Sequence, residues 1–242
     1  MSESVLLSEI AEQPSVLERL LTEAASEVEA IAATVRARNI HHVVIAARGS
    51  SDNAARYAQY LFGAHNRLTV TLATPSLFTR YQTPPVMTGA LVIGISQSGE
   101  SPDLIAVVEE GRRQGCPTLA VTNVAGSPLT AVADHTIVLR AGKERSIAAT
   151  KTYTAHLAAL AMLSTAMAQQ DERRRELAQV PSFVAAAHAV NREIVLSAAA
   201  ALQHAGHGVV EVAVDLDRQR AVVERLRQLA VGDLARADED HG

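Results

Sequence analysis

Apolar residues recur along the chain at two different spacings, and the change from one to the other divides it. Val16, Leu17, Leu20, Leu21, Ala24, Val28, Ile31, Ala32 and Val35 return every three or four positions, leaving Glu18, Arg19, Glu23 and Arg36 for the opposite face. That period predicts an amphipathic helix from Val16 to Val35. Just ahead of it, Ile10-Ala11-Glu12-Gln13-Pro14 contains a proline that only the edge of a helix tolerates. A short helix and a turn are therefore expected before the longer helix.

From residue 40 the spacing gives way to short, β-branched runs: Val43–Ala46, Val70–Leu72, Ala90–Ile95, Thr118–Val121 and Thr136–Leu139. Their consecutive apolar positions predict strands buried on both faces. Helical periodicity returns between them, at Asn53–Gly63 and Pro102–Gln114. Strands joined in this way predict an α/β fold, a five-stranded parallel sheet flanked by helices in a flavodoxin-like three-layer sandwich. After Thr150 the pattern is helical again over Thr150–Ala168, with a charged turn at Asp171–Arg175 and a further helix over Pro181–Gln203. A strand-like run follows at Gly208–Val214, then a charged helix from about Asp217 to Leu229 and a polar end, Asp238–Gly242, expected to be disordered. There is no internal repeat. The chain reads as an N-terminal helical segment, 1–37, an α/β domain, 38–170, and a helical C-terminal extension, 171–242.

Composition narrows the function classes. With 242 residues, 48% of them hydrophobic, the chain is long enough for one well-buried domain or one and a half smaller ones. Its net charge is −4 and its 22 basic residues are dispersed, so no concentrated positive face for nucleic acid is expected. The single cysteine, Cys116, has no partner for a disulfide or a metal site and reads as a small apolar filler. The N-terminus lacks a basic stretch followed by an apolar one, and no apolar run approaches the ~20 residues of a membrane span. A soluble, cytoplasmic protein with no metal or cofactor follows as the expectation.

In an open parallel sheet, ligands bind beyond the carboxyl ends of the strands, where helix N-termini expose unpaired N–H groups. Two loops there have suitable chemistry. Arg48-Gly49-Ser50-Ser51-Asp52-Asn53 follows the first strand and combines a glycine with two hydroxyls. Ser96-Gln97-Ser98-Gly99-Glu100-Ser101-Pro102-Asp103 follows the third and ends in a proline suited to a first helical turn. Serine and glycine also make good turns and caps, but two such loops after two separate strands favour a shared anion site. Neither the G-x-x-x-x-G-K pattern nor G-x-G-x-x-G is present, which argues for a monophosphate over a nucleotide or dinucleotide. A third polar loop, Ala141 to Lys151, opens the long helix and is placed to line the same pocket; its Glu144 and Lys151 also suit an ion pair or a helix-start contact.

At these loops the sequence resembles the SIS (sugar isomerase) family, in particular the isomerase half of glucosamine-6-phosphate synthase and related sugar isomerases and amino-sugar-phosphate deaminases. The matching strings are Glu12-Gln13-Pro14, Arg48-Gly49-Ser50-Ser51, Ser96-Gln97-Ser98-Gly99-Glu100-Ser101 and Ala141 to Lys151. The resemblance implies that Ser51, Ser96, Gln97, Ser98 and Ser101 hold the sugar phosphate. It implies also that Ser50 and the backbone around Ile147 and Ala149 meet the sugar hydroxyls. The closer relatives usually carry cysteine at Arg48 and serine at Ala149. Enzymes of this group have two SIS lobes, with base, ring-opening histidine and Schiff-base lysine in or after the second. Residues 171–242 are too short for that lobe and contain no lysine, so by resemblance they are a helical linker and an incomplete second lobe. The start Met1-Ser2-Glu3 also lacks the cysteine of a glutaminase domain.

Two functions follow, both with a phosphorylated hexose or hexosamine as partner. One is an aldose–ketose isomerase or amino-sugar-phosphate isomerase/deaminase, which moves a proton between C1 and C2 and needs a carboxylate or histidine as base. Glu100, Glu144, His65 and His156 are the candidates, each with a structural role as the competing reading. His41, His42, His188, His204 and His207 fall outside the predicted loops. The other is a module that binds a sugar phosphate without turning it over. The Ala- and Leu-rich helices of Thr150–Gln203 further predict a homodimer or higher homo-oligomer, and a single-lobe isomerase that completes its site across such an assembly is a third reading.

Overall fold

The structure is a computed structural model that describes residues 4–191. Five parallel strands form one sheet: β1 (His42–Ala47), β2 (Thr69–Leu72), β3 (Ala90–Ser96), β4 (Thr118–Thr122) and β5 (His135–Val138), in the order β2-β1-β3-β4-β5. All five expected strands are present, each within a residue or two of its expected bounds. Every residue of β3 and β4 is buried, as their unbroken apolar runs require, while the edge strand β2 alternates between exposed and half-buried positions.

Strand alternation sends successive side chains to opposite faces. Val44, Ala46, Ala90, Val92 and Ala120 pack with Leu104, Val107 and Val108 of α6 (Pro102–Arg113) and Leu129 of α7 (Pro128–Val132). Phe78 of the short helix α5 (Ser76–Thr79) joins that layer. The other layer is built on α4 (Ser50–Asn66) and α8 (Lys151–Ala168), which pack together and are tied by the Asn66 side chain, which donates to the Ser164 carbonyl at 2.8 Å. Cys116 is buried in the first layer with its thiol on the Met87 carbonyl, and burial raises its pKa.

The N-terminal segment folds as α1 (Val5–Ala11), α2 (Gln13–Glu23) and α3 (Ala25–Ala37), with Pro14 in the first turn of α2. The single helix expected over Val16–Val35 is thus broken at Ala24, where no glycine or proline signals a break. A straight helix of that length would run about 30 Å. The break allows α2 and α3 each to lie against α8 while α3 also reaches β5. With α2, α3 and α4 packed on it, the apolar composition of α8 is largely accounted for within the subunit. The expected charged turn at Asp171–Arg175 is instead the helix α9 (Asp171–Leu177). Its acidic first turn and basic last turn complement the helix dipole.

This compact unit ends at Pro181, and Ser182 opens a second unit whose described residues, 182–191, are helical. The expectations for Gly208–Val214, for the helix from Asp217 and for the tail lie outside the described residues, as does the end of the helix expected to reach Gln203.

Close layering depends on small residues where α6 crosses the sheet. A Cβ added to Gly111 would lie 2.7 Å from Val92 Cγ2 and 2.9 Å from its Cβ, and a β-branched side chain in a buried strand has no room to yield. Overpacking of this kind costs about 1–3 kcal/mol, against about 1 kcal/mol gained when alanine replaces glycine in a helix. Gly111→Ala is therefore expected to unfold at lower denaturant concentration than the unmodified chain, with an unchanged m-value; a variant of raised stability would show that the layers are not so tightly spaced.

Candidate functional site

Between β1 and β3 the sheet reverses its direction of winding. The crossover after β1 runs to one face through α4 and the crossover after β3 runs to the other through α6, which opens a crevice beyond the strand ends. Register brings the two loops together: Ala47 pairs with Ile95, so the chain leaves β1 at Arg48 beside Ser96, the last residue of β3. A cleft of about 450 Å³ lies there, lined by Ser50, Ser51, Ser96, Gln97, Ser98 and Ser101 and walled by Arg48, Asn123, Lys143 and Glu144.

Backbone geometry sets each hydroxyl. Gly49, with φ 57° and ψ −129°, turns the chain from β1 into α4 and places Ser50 and Ser51 in its first turn. In the second loop Ser96 Oγ accepts the Gly99 N–H at 3.1 Å and Ser98 Oγ accepts the Glu100 N–H at 3.3 Å. Each hydroxyl therefore keeps its own proton to donate. Gly99 has φ +68°, and a Cβ there would stand 2.6 Å from Ser127 Cβ. Both helix N-termini add a positive dipole end.

Two of the charged groups at the cleft, Arg48 and Glu144, are held by partners within the fold. Arg48 pairs through its guanidinium with Asp103 in the first turn of α6. Glu144 accepts the Thr150 and Lys151 N–H groups at 2.6 and 3.0 Å and the Thr150 hydroxyl at 2.9 Å. The Thr152 hydroxyl and, at 3.4 Å, the Gln97 amide also donate to it. Its carboxylate thus holds the start of α8, the helix-start contact among the roles its sequence position allows. Asn123 joins the third loop to the cleft by accepting the Ala141 N–H at 2.8 Å and donating to the Gly142 carbonyl at 2.7 Å.

Ser50, Ser51, Ser96, Gln97, Ser98, Ser101 and Glu144 thus meet at one cleft; the other candidates lie elsewhere. Glu100 is exposed and is not among the lining residues. Ile147 and Ala149 lie further along the third loop, past its lining residues, with the Ile147 side chain in solvent. His65 occupies the last turn of α4, about 20 Å along the helix from Ser51. His41 and His42 are not among the lining residues, His188 belongs to the second unit, and His204 and His207 are outside the described residues. His156, on α8, is buried with neither ring nitrogen partnered.

The sequence profile of the SIS domain matches residues 37–166. The chain belongs to the SIS domain family. This SIS domain is 35% identical over 191 residues to the isomerizing glutamine–fructose-6-phosphate aminotransferase of Thermus thermophilus, a match covering 74% of this chain and 32% of that protein. The chain so spans about a third of the length of such relatives. Among solved structures it superposes on a candidate phosphosugar isomerase from Silicibacter pomeroyi with a TM-score of 0.75 and 38% identity, over 76% of this chain and 57% of that one. It likewise superposes on the C-terminal domain of glucosamine-fructose-6-phosphate aminotransferase from Francisella tularensis, with a TM-score of 0.67 and 26% identity, over 79% and 57%. The SIS fold and the kinship with the isomerase part of these aminotransferases agree with the resemblance carried by the loop motifs.

Reading the SIS domain from sequence missed Asn123 and Val124 as lining residues. Their position directly after β4, beside β3, would have pointed to them once the strand order was known.

Burial lowers the His156 pKa to about 4, against a smaller opposing pull from the Glu144 charge. The ring is neutral in the folded SIS domain at pH 7, while the unfolded chain protonates it near 6.5. Stability from this source is complete above pH 6.5 and declines as pH falls toward 4, because the unfolded state then binds the extra proton. Replacing His156 with leucine is expected to reduce the loss of unfolding free energy between pH 7 and 4.5 by about 2 kcal/mol. Parallel losses in the two proteins, measured by denaturant titration, would disprove this.

Proposed function

We propose that this SIS domain binds the phosphate of a hexose or hexosamine 6-phosphate in the cleft between β1 and β3. We place it with the aldose–ketose isomerases and amino-sugar-phosphate isomerases or deaminases. The observation that carries the proposal is the convergence of Ser51, Ser96, Gln97, Ser98 and Ser101 on one cleft at the mouths of two helices. Four hydroxyls, an amide and two dipole ends suit a compact dianion, which they can surround with donors from several sides. The names of the relatives, built on fructose 6-phosphate and phosphosugars, support the same ligand class.

In this proposal Ser51, Ser96, Gln97, Ser98 and Ser101 grip the phosphate, Ser50 meets the sugar, and the ring extends toward the wall formed by Lys143 and Glu144. Enolisation then requires a base at C1 or C2. The described loops supply binding, with Glu144 already committed to five donors. Doubly charged sugar phosphates do not cross bilayers, which supports a cytoplasmic location. Assembly into a homo-oligomer is supported by the exposed Val5, Leu6 and Leu7 on α1.

Ligand-dependent melting tests the binding. Glucosamine 6-phosphate and fructose 6-phosphate are expected to raise Tm in proportion to ln(1 + [L]/Kd), and the unphosphorylated sugars are not. Ser98→Ala removes a hydrogen bond to a charged group, worth about 1.5–3 kcal/mol, and is expected to weaken the sugar phosphates about tenfold or more. No shift at millimolar ligand would refute the proposal. Formation of isomerised or deaminated product by the purified protein distinguishes an enzyme from a binding module.

A further inference from the structure

The wall of the cleft formed by Lys143 and Glu144 belongs to a stretch, residues 139–150, that has no helix or strand of its own. Part of it is unusually open, with Ile147 fully in solvent. Such a stretch is held in one place only by the groups that bond to it. Two of those groups come from the far N-terminus. Glu9, on α1, is only 3% exposed, and its carboxylate accepts the N–H groups of Arg145 at 2.5 Å and Ser146 at 3.0 Å. The Ser146 hydroxyl donates to the same carboxylate. One turn further, Glu12 pairs at 2.7 Å with Lys151, whose side chain is 3% exposed.

Glu9 thus grips the two residues that directly follow the cleft wall, and Glu12 grips the residue at which α8 begins. The carboxylate of Glu9 is held ionised, first by the Ser146 hydroxyl and then by the Arg145 N–H. It is 136 residues distant in sequence from Arg145, so the contact ties an element outside the sheet sandwich to the edge of the cleft. Its hydrogen bonds run to the third loop, whereas the serine loops after β1 and β3 are held by bonds of their own.

We propose that Glu9 is a positioning residue which, without touching ligand, fixes the Lys143–Glu144 wall and so sets how much more tightly the site holds a sugar phosphate than inorganic phosphate. This rests on the reading of the cleft as a sugar-phosphate site. Inorganic phosphate needs only the serine loops. A sugar phosphate also fills the space toward the wall, and alone senses where that wall stands.

The test compares the full chain with Glu9→Gln and Ser146→Ala, the second keeping the Glu9 carboxylate in case the first folds poorly. In hydrogen exchange without ligand, the amides of Arg145 and Ser146 are expected to exchange about tenfold faster or more in Glu9→Gln. Ser146→Ala, which retains both amide donors, is expected to show a smaller change in the same direction. In calorimetric titrations, glucosamine 6-phosphate is expected to bind Glu9→Gln about tenfold more weakly, with inorganic phosphate within about twofold of the unmodified chain. Unchanged exchange in both variants overturns the grip. Faster exchange with an unchanged ratio of the two affinities, or an equal loss for both ligands, overturns the positioning role. An unmodified chain that binds neither ligand overturns the sugar-phosphate reading and this inference with it, an outcome distinct from the others because it is seen before any substitution.

Discussion

The pairing of β1 with β3 is the constraint from which the site follows. Parallel strands in register deliver their next residues to the same level, and crossovers to opposite faces separate the helices that those residues begin. The crevice, its two helix mouths and the meeting of Ser51 with Ser98 are geometric consequences of that one junction. The small residues in the adjacent layer preserve it. Gly94 faces Leu129 and Val108, and Gly111 faces Val92, so α6 can approach β3 closely enough for its first turn to stand at the strand end.

The cleft is built mainly from neutral donors, and this shapes its electrostatics. Arg48 is matched by Asp103, and Glu144 by the amides and hydroxyls at the start of α8, which leaves the hydroxyls, the helix dipoles and Lys143 as the principal groups lining the cleft. Hydroxyl and amide donors cost little to keep solvated in the empty site, whereas a buried unpaired lysine would be held at a large desolvation penalty. The one lysine deep in the neighbourhood, Lys151, is accordingly paired with Glu12.

Local pattern was enough for the strands, for the bounds of α6 and α8 and for both serine loops, because runs buried on two faces and glycine-serine turns each have a local physical cause. Ser51, Ser96, Gln97, Ser98 and Ser101 lie in or beside those loops and line one cleft, though it was the resemblance to the SIS family that singled them out. What escaped has causes distributed over the fold. The break at Ala24 comes from α2 and α3 following α8, and no residue within the helix marks it. Asn123 lines the cleft only because β4 neighbours β3, which strand order decides. Glu9 looks like any polar residue of a short helix, and its partners at Arg145 and Ser146 come from the other side of the sheet domain in sequence.

The carboxylates near the cleft share one property that bears on chemistry. A general base needs a free lone pair aimed at substrate and a pKa raised toward neutrality. Glu144 has its oxygens on five donors, and Glu9 has three donors that depress its pKa. Each is arranged as an acceptor that fixes backbone, the opposite of an arrangement for proton abstraction. His156, neutral and enclosed in α8, is likewise shielded from any ligand in the cleft. Glu144 and Glu9 thus organise the loop that walls the cleft, while the serines line it.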